Sequence, residues 1–397
     1  MKLQILSFLF LFFILSAHSS YSGSKRLNNI PDKTQRQDTI TFNLKEKELV
    51  LSGPDGPYLF YLPDGKMRIV SIDEKGNLND SILTDPDENF TLTIISHNKK
   101  HRFKVKLHPI EKNNWKHNSP EKLFVLGDPH GNIDCLVNIL HINGVIGDEY
   151  EWTYGKNHLM IEGDIFDRGD DVVQILWLVY KLEAEALKAG GKVSFIYGNH
   201  ELLVMANDLR YTNKKYTLLA EKYKTEMEYP GFFGSDTELG QWLAKRNTIE
   251  VIGKDLFVHA GLSKPLCKTG LTIPQINEEI SRGIYKSKEE RNNQSVYSKL
   301  LFTTNGPVWY RGLVNSEKEE AITEEKDLNQ ILDHFGITRI IVGHTIFDDI
   351  TTFFNGKVIA INVNNLKNWK NDKGRGILIK DDKTYITYGD GRETELK

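Results

Sequence analysis

One short stretch constrains this chain more than any other. Residues 159–169 read L-M-I-E-G-D-I-F-D-R-G. The apolar run Leu159, Met160 and Ile161 suits a buried parallel strand, and Gly163 lets the backbone turn. Asp164, Asp167 and Arg168 follow at once. Open α/β sheets hold ligands just beyond the carboxyl ends of their strands. Two acids and a guanidinium at such an edge cost folding energy unless a cation and an anion compensate them.

Four further stretches repeat the design of apolar strand, glycine turn and ligand-type side chains. They are L-G-D-P-H-G at 126–131, Y-G-N-H-E at 197–201, V-H-A-G-L at 258–262 and V-G-H-T at 342–345. Taken singly each has an ordinary reading: a loop, a helix cap, a hydrogen-bonded histidine. Together they supply Asp128, His130, Asp164, Asn199, His259 and His344 at five strand ends, which a parallel sheet would align along one edge. With one carboxylate shared between two sites, this mixed oxygen and nitrogen set suits two divalent ions of the Mn, Fe or Zn type.

The flanking pattern is β-α-β-α-β. Strands are expected at 122–126, 159–161 and 192–197, with helices at 133–142, 172–188 and from Glu201. The predicted fold class is therefore α/β, with sheets flanked by helices. A small all-β domain precedes it at 38–109, marked by β-branched and aromatic runs and by turn tripeptides such as Pro63-Asp64-Gly65. Residues 110–120 read as a linker and 121–397 as the catalytic domain. Insertions are expected at 207–246, as a helical cap, and at 263–304, as a polar excursion. Four late runs near 350–354, 357–363, 376–379 and 384–388 read as antiparallel strands closing a second sheet.

At the amino terminus, Lys2 precedes an apolar run from Ile5 to Ala17, with small residues Ala17 and Ser19 after it. The run is short for a bilayer core of ~30 Å, which needs ~20 residues. Residues 1–19 are expected to be a cleaved signal peptide and 20–37 a flexible leader. The expected location is exported, periplasmic or secreted, with no stable membrane anchor after cleavage. A net charge of -3 does not suit a general nucleic-acid binder. Cys135 and Cys267 are too few for a disulfide framework, and spacing leaves open whether they pair.

The motifs G-D-P-H-G, G-D-I-F-D-R-G, G-N-H-E, H-A-G-L and G-H-T together resemble the signature set of the phosphoprotein phosphatase family of metallophosphoesterases. The match runs from Lys122 to about Val363. The runs at 189–193, 207–211 and 306–311 look like its bacterial and Shewanella-like branch, which includes tyrosine-specific members with an N-terminal β domain. Ile361-Asn362 stands where the family often has Ile-Asp, a departure that carries no mechanistic expectation.

The resemblance implies roles. Asp128, His130 and Asp164 would hold a first metal ion. Asp164 would bridge to a second, completed by Asn199, His259 and His344. A hydroxide shared by the ions would attack phosphorus in line. His200 would protonate the leaving oxygen, oriented by Asp167. Arg168 and Arg311 would hold the phosphate oxygens; for Arg311 a packed surface strand is the competing reading. The expected partner is a phosphorylated protein or peptide, or a small phosphomonoester. Two other functions are weighed against this one, the first of which shares the motifs. A dinucleoside polyphosphate hydrolase is disfavoured by export. An inactive binding protein has no need of the acid His200.

Overall fold

A computed structural model describes residues 41–44, 47–50, 53–84, 90–222, 228–314, 323–368 and 374–396. The expected signal peptide and leader lie outside the described residues. Two six-stranded sheets form the centre. In the first, Lys122–Leu126, His158–Ile161 and Lys192–Phe195 run parallel, and Arg375–Lys380 pairs antiparallel against the free side of Lys122–Leu126. In the second, Asp255–Val258, Arg339–Val342 and Val358–Ala360 run parallel.

Strand alternation builds two interiors from these sheets. Val125, Met160, Phe257, Ile341, Ile359 and Ile377 belong to one buried apolar cluster between the sheets. Their neighbours Phe124, Leu126, Ile161, Val258 and Val342 turn the other way and belong to the larger cluster that includes the helices. The result is a four-layer arrangement of helix, sheet, sheet and helix. Met160 is fully buried, so truncating it to alanine would cost about 2–5 kcal/mol.

The helix Val172–Ala189 starts three layers of contact. It covers the first sheet, ends on Gly190 in the left-handed region at φ 77, and presents its outer side to the N-terminal strands. Those strands form a three-stranded antiparallel sheet, Asp55–Tyr61, Met67–Ile72 and Leu78–Leu83, and a hairpin, Thr91–Ile95 with Arg102–Lys106. Tyr58, Phe60, Ile94 and Phe103 share the apolar cluster of Trp177 and Leu178, and the Trp177 indole donates to the Pro57 carbonyl at 2.9 Å. Residues Asp38–Lys397 form one compact unit.

Three expectations change. The five motif-bearing strands do not share one sheet: three lie in the first and two in the second. The late runs also divide, because Thr351–Phe353 and Val358–Ala360 extend the second sheet while Arg375–Lys380 and Lys383–Tyr388 extend the first. The stretch 263–304 is not a polar excursion. It folds into short helices, among them Lys264–Lys268 and Ile273–Ser281, that bury Leu266, Ile276, Ile280 and Leu301. Within 110–120, Lys116–His117 pairs with Ile249–Ile252 as an edge strand of the second sheet. Cys135 and Cys267 are free thiols. Among the described residues no helix is long and apolar enough to cross a membrane.

Candidate active site

The carboxyl ends of both sets of parallel strands meet on one side of the sheet pair. The loops leaving them are strained in the same way. Asp128, His130, Asp164, Asp167, Arg168 and His344 all have positive φ, between 42° and 69°. Such a backbone costs non-glycine residues roughly 1–3 kcal/mol each and persists where the surroundings over-determine it. Two glycines let the loops close in. A Cβ at Gly198 would lie 2.1 Å from an Asp164 carboxylate oxygen, and one at Gly343 would lie 2.3 Å from an Asp128 oxygen.

Three imidazoles converge on a single atom. The Nε2 atoms of His259, His130 and His200 lie 3.1, 3.6 and 3.9 Å from Asp164 Oδ2. The far nitrogen of each ring is occupied. Nδ1 of His130 bonds the Phe166 carbonyl at 2.9 Å, and Nδ1 of His259 bonds the Glu162 carbonyl at 2.7 Å. A ring that donates from Nδ1 leaves an Nε2 lone pair for a metal ion. His130, Asp164 and His200 form one group able to hold an ion, and Asp164, His259 and His344 form another, with ligand atoms within 4.8 Å of one another. Asp164 is common to both. Asn199 Oδ1 lies 3.0 Å from His259 Nε2 and joins the second group. Asp128 stands beside these groups. It accepts the His344 backbone N–H at 3.1 Å and the Asn362 side-chain amide.

The charges show what the pocket lacks. Burial pushes the Asp128 carboxyl up to about 7, with Asp164 adding to the effect. Burial would raise Asp164 too, but the His259 and His200 imidazoles hold it well below the ordinary carboxylate value. Burial disfavours charge on His259, yet the Asp164 and Asp128 carboxylates outweigh it and carry its pKa up to about 10. His130 is driven the other way, down to about 3, by burial against the pull of Asp164. The donor set of carboxylate, imidazole and amide oxygen fits divalent ions of intermediate softness.

His200 sits deep, 4% exposed. Its Nδ1 lies 2.6 Å from Asp167 Oδ2, and the other Asp167 oxygen accepts the Thr212 hydroxyl at 2.6 Å. Burial opposes protonation of His200, but Asp164 and Asp167 together raise its pKa above the ordinary value. Arg168 is exposed on the rim, and its backbone N–H donates to the Tyr211 carbonyl at 3.1 Å. Arg311 is half-buried and donates to Thr345 Oγ1 at 2.7 Å, beside His344.

Four residues with positions in this site carry no expectation from sequence. Glu201 accepts the backbone N–H groups of Asp164, Ile165, Phe166 and Gly198 at 2.6–3.2 Å. It fastens the Asp164 loop to the start of helix Asn199–Met205. Its signal was present as the acid at the third position of that helix. Thr212 holds Asp167, Asn362 holds Asp128, and the Tyr211 ring centroid lies 5.2 Å from that of His200.

Residues 121–347 match the model of the calcineurin-like phosphoesterase family. Shewanella-like protein phosphatase 2 of Arabidopsis thaliana is 30% identical over 287 residues, 62% of this chain and 71% of that protein. Shewanella-like protein phosphatase 1 of Plasmodium berghei is 30% identical over 229 residues, 56% of this chain and 61% of that protein. The crystal structure of a cold-active protein-tyrosine phosphatase from a psychrophilic Shewanella superposes with a TM-score of 0.77 at 30% identity, covering 87% of this chain and 99% of that one. The paired sheets, the buried cluster of histidines and aspartates and these matches agree: the chain belongs to the calcineurin-like metallophosphoesterases and is a phosphoric monoester hydrolase.

Proposed function

We propose that the protein is an exported, dinuclear protein phosphatase that favours phosphotyrosine. The observation that carries the reading is the convergence of three imidazoles on Asp164 Oδ2 with the His200–Asp167 pair at its side. His130, Asp164 and Asp128 would hold one ion, and Asp164, Asn199, His259 and His344 the other. When bound, such ions supply an activated water and neutralise phosphoryl charge.

The chain's own groups do the rest. Arg168 and Arg311 offer guanidinium forks to the phosphoryl oxygens. His200 Nε2 carries the proton for the leaving oxygen, kept there by its raised pKa and by Asp167 on the opposite nitrogen. The acid role therefore weakens as pH rises through that raised pKa. A phosphotyrosine reaches further into a buried site than phosphoserine does. Tyr211 beside His200 and Trp309, with ring centroids 6.2 Å from His344, would flank its ring. Kinship with a tyrosine phosphatase structure supports the same choice. The export reading rests on residues 1–19 and is checked by fractionating cells that express the full chain.

The direct experiment is turnover by metal-loaded protein of matched phosphotyrosine and phosphoserine peptides and of diadenosine tetraphosphate. Faster release from the phosphotyrosine peptide is expected. A preference for the dinucleotide would replace the protein-phosphatase reading.

A further inference from the structure

The two helices that follow the metal and phosphate loops begin beneath the same N-terminal hairpin. Helix Ile133–Ile142 follows the Asp128–His130 loop, and helix Val172–Ala189 follows the loop of Asp164, Asp167 and Arg168. Above both lies the turn at residues 96–101. Asp171 is the N-cap residue of the second helix, where an aspartate ordinarily accepts a hydrogen bond from the first turn. Here it makes no cap bond. Its carboxylate faces outward and accepts the His97 backbone N–H at 2.6 Å and meets the ring Nδ1 at 2.6 Å. The N–H of the first helical residue, Val172, donates to the Tyr216 hydroxyl at 2.9 Å. In the first turn of the other helix, Asp134 accepts the Asn98 amide at 3.1 Å and meets His101 Nε2 at 2.7 Å. The turn holds its own shape, since Asn98 Oδ1 accepts the Ser96 hydroxyl at 2.7 Å and the Lys100 N–H at 3.0 Å.

The loops beneath the turn are bonded directly to each other. The Asp171 N–H donates to the Gly131 carbonyl and the Gly169 N–H to the His130 carbonyl, each at 3.0 Å. A Cβ at Gly169 would lie 2.3 Å from the His130 oxygen, so no slack separates the strands of chain. Arg168 stands next to Gly169 with φ 68. We propose that the 96–101 turn is part of the catalytic apparatus: through Asp171, His97 is a positioning residue that holds Arg168 at the height of the phosphoryl group. This rests on the reading in which Arg168 binds phosphate. A helix cap has been given up for a tie between modules, and the tie ends at the phosphate loop.

Asp171→Ser tests this without undermining the helix, because serine caps it. The full-length, metal-loaded protein is assayed for kcat and KM on a phosphotyrosine peptide and for inhibition by inorganic phosphate. At equal metal content, Asp171→Ser should raise KM and the phosphate inhibition constant by about 2- to 30-fold, the range for residues that act through others. Its kcat should change little, and its thermal midpoint should fall no further than that of His97→Ala, which loses the same tie. His97→Ala should follow it. His97→Asn, which keeps a donor at the Nδ1 position, should stay within twofold of wild type. Wild-type values in both Asp171→Ser and His97→Ala would overturn the proposal, as would a His97→Asn protein no better than His97→Ala. An inactive wild type would instead sink the phosphatase reading, and calorimetric phosphate binding by the same variants would still decide the role of the tie.

Discussion

At the end of the sheets remote from the ligand loops, a cavity of about 670 Å³ is lined by Lys254, Asp255, Arg339, Lys357, Lys380 and Asp381, among others. Three of its cations are paired with carboxylates. Arg339 grips Asp255 through two bonds of 2.6 and 2.9 Å, Lys357 meets Glu325 at 3.0 Å, and Lys380 meets Glu393 at 2.8 Å. At the opposite end, buried acids and imidazoles crowd one another. Left-handed backbone occurs at both ends, for different reasons. Phe354-Asn355 and Asp381-Asp382 have positive φ inside tight hairpin turns, where twist of the strands demands it. Asp128, Asp164 and His344 have it in open loops that aim side chains inward. One end carries ion pairs near its surface; the other gathers buried side chains that could hold metal ions.

Asp164→Asn should break this contrast most severely. It removes the oxygen common to both ligand groups, so turnover should fall below detection and metal content by elemental analysis should drop. Full metal loading would show that the convergence on Asp164 is not a metal site. His200→Asn should reduce kcat by about 10²- to 10⁴-fold, the usual contribution of a positioned acid, while metal content stays normal. An unchanged kcat would reassign the proton. Asn362→Ala should weaken metal binding about 10- to 100-fold, as removal of a residue that orients a ligand does. Chelator competition reads this, and equal affinity would confine Asn362 to packing.

Metal binding should also depend on pH in a set direction. His259, with its pKa carried up to about 10, must lose a proton before Nε2 can ligate. Protons therefore compete with the ion, and affinity should fall about tenfold for each pH unit lowered when one proton is displaced. Asp128, pushed up to about 7, adds a second competing proton below that value. A flat profile from pH 6 to 8 would contradict this charge balance. The smallest effect belongs to the remote end. Lys357→Ala removes a partly exposed pair with Glu325 and should cost only about 0.2–1 kcal/mol of stability. Normal kinetics are expected, and a kinetic defect would tie the two ends together.

The candidate ligand residues stand out in sequence because each motif is local: an apolar run, a glycine and a donor within a few positions. The side chains do gather, but at the rims of two sheets rather than along the single edge expected. Which sheet each strand joins was not. Arg375–Lys380 lies against Lys122–Leu126 although the chain between them builds all but one edge strand of the second sheet. Periodicity gives the face of a strand, never its neighbour. Glu201 was visible only as a helix-start acid, and its hold on the Asp164 loop depends on how Gly198 lets that loop approach. Thr212 and Asn362 had no signature, because a hydroxyl or an amide becomes specific only through the carboxylate it meets. His97 and Asp171 likewise belong to modules that the sequence presents as separate.

The division of the ligands between sheets has one more consequence. Asp128, His130, Asp164 and Asn199 leave the first sheet, while His259 and His344 leave the second, and an apolar seam with a few polar ties joins the two. In the proposed arrangement the ions rivet that seam at its rim. Slippage between the layers would then silence the enzyme long before it unfolded.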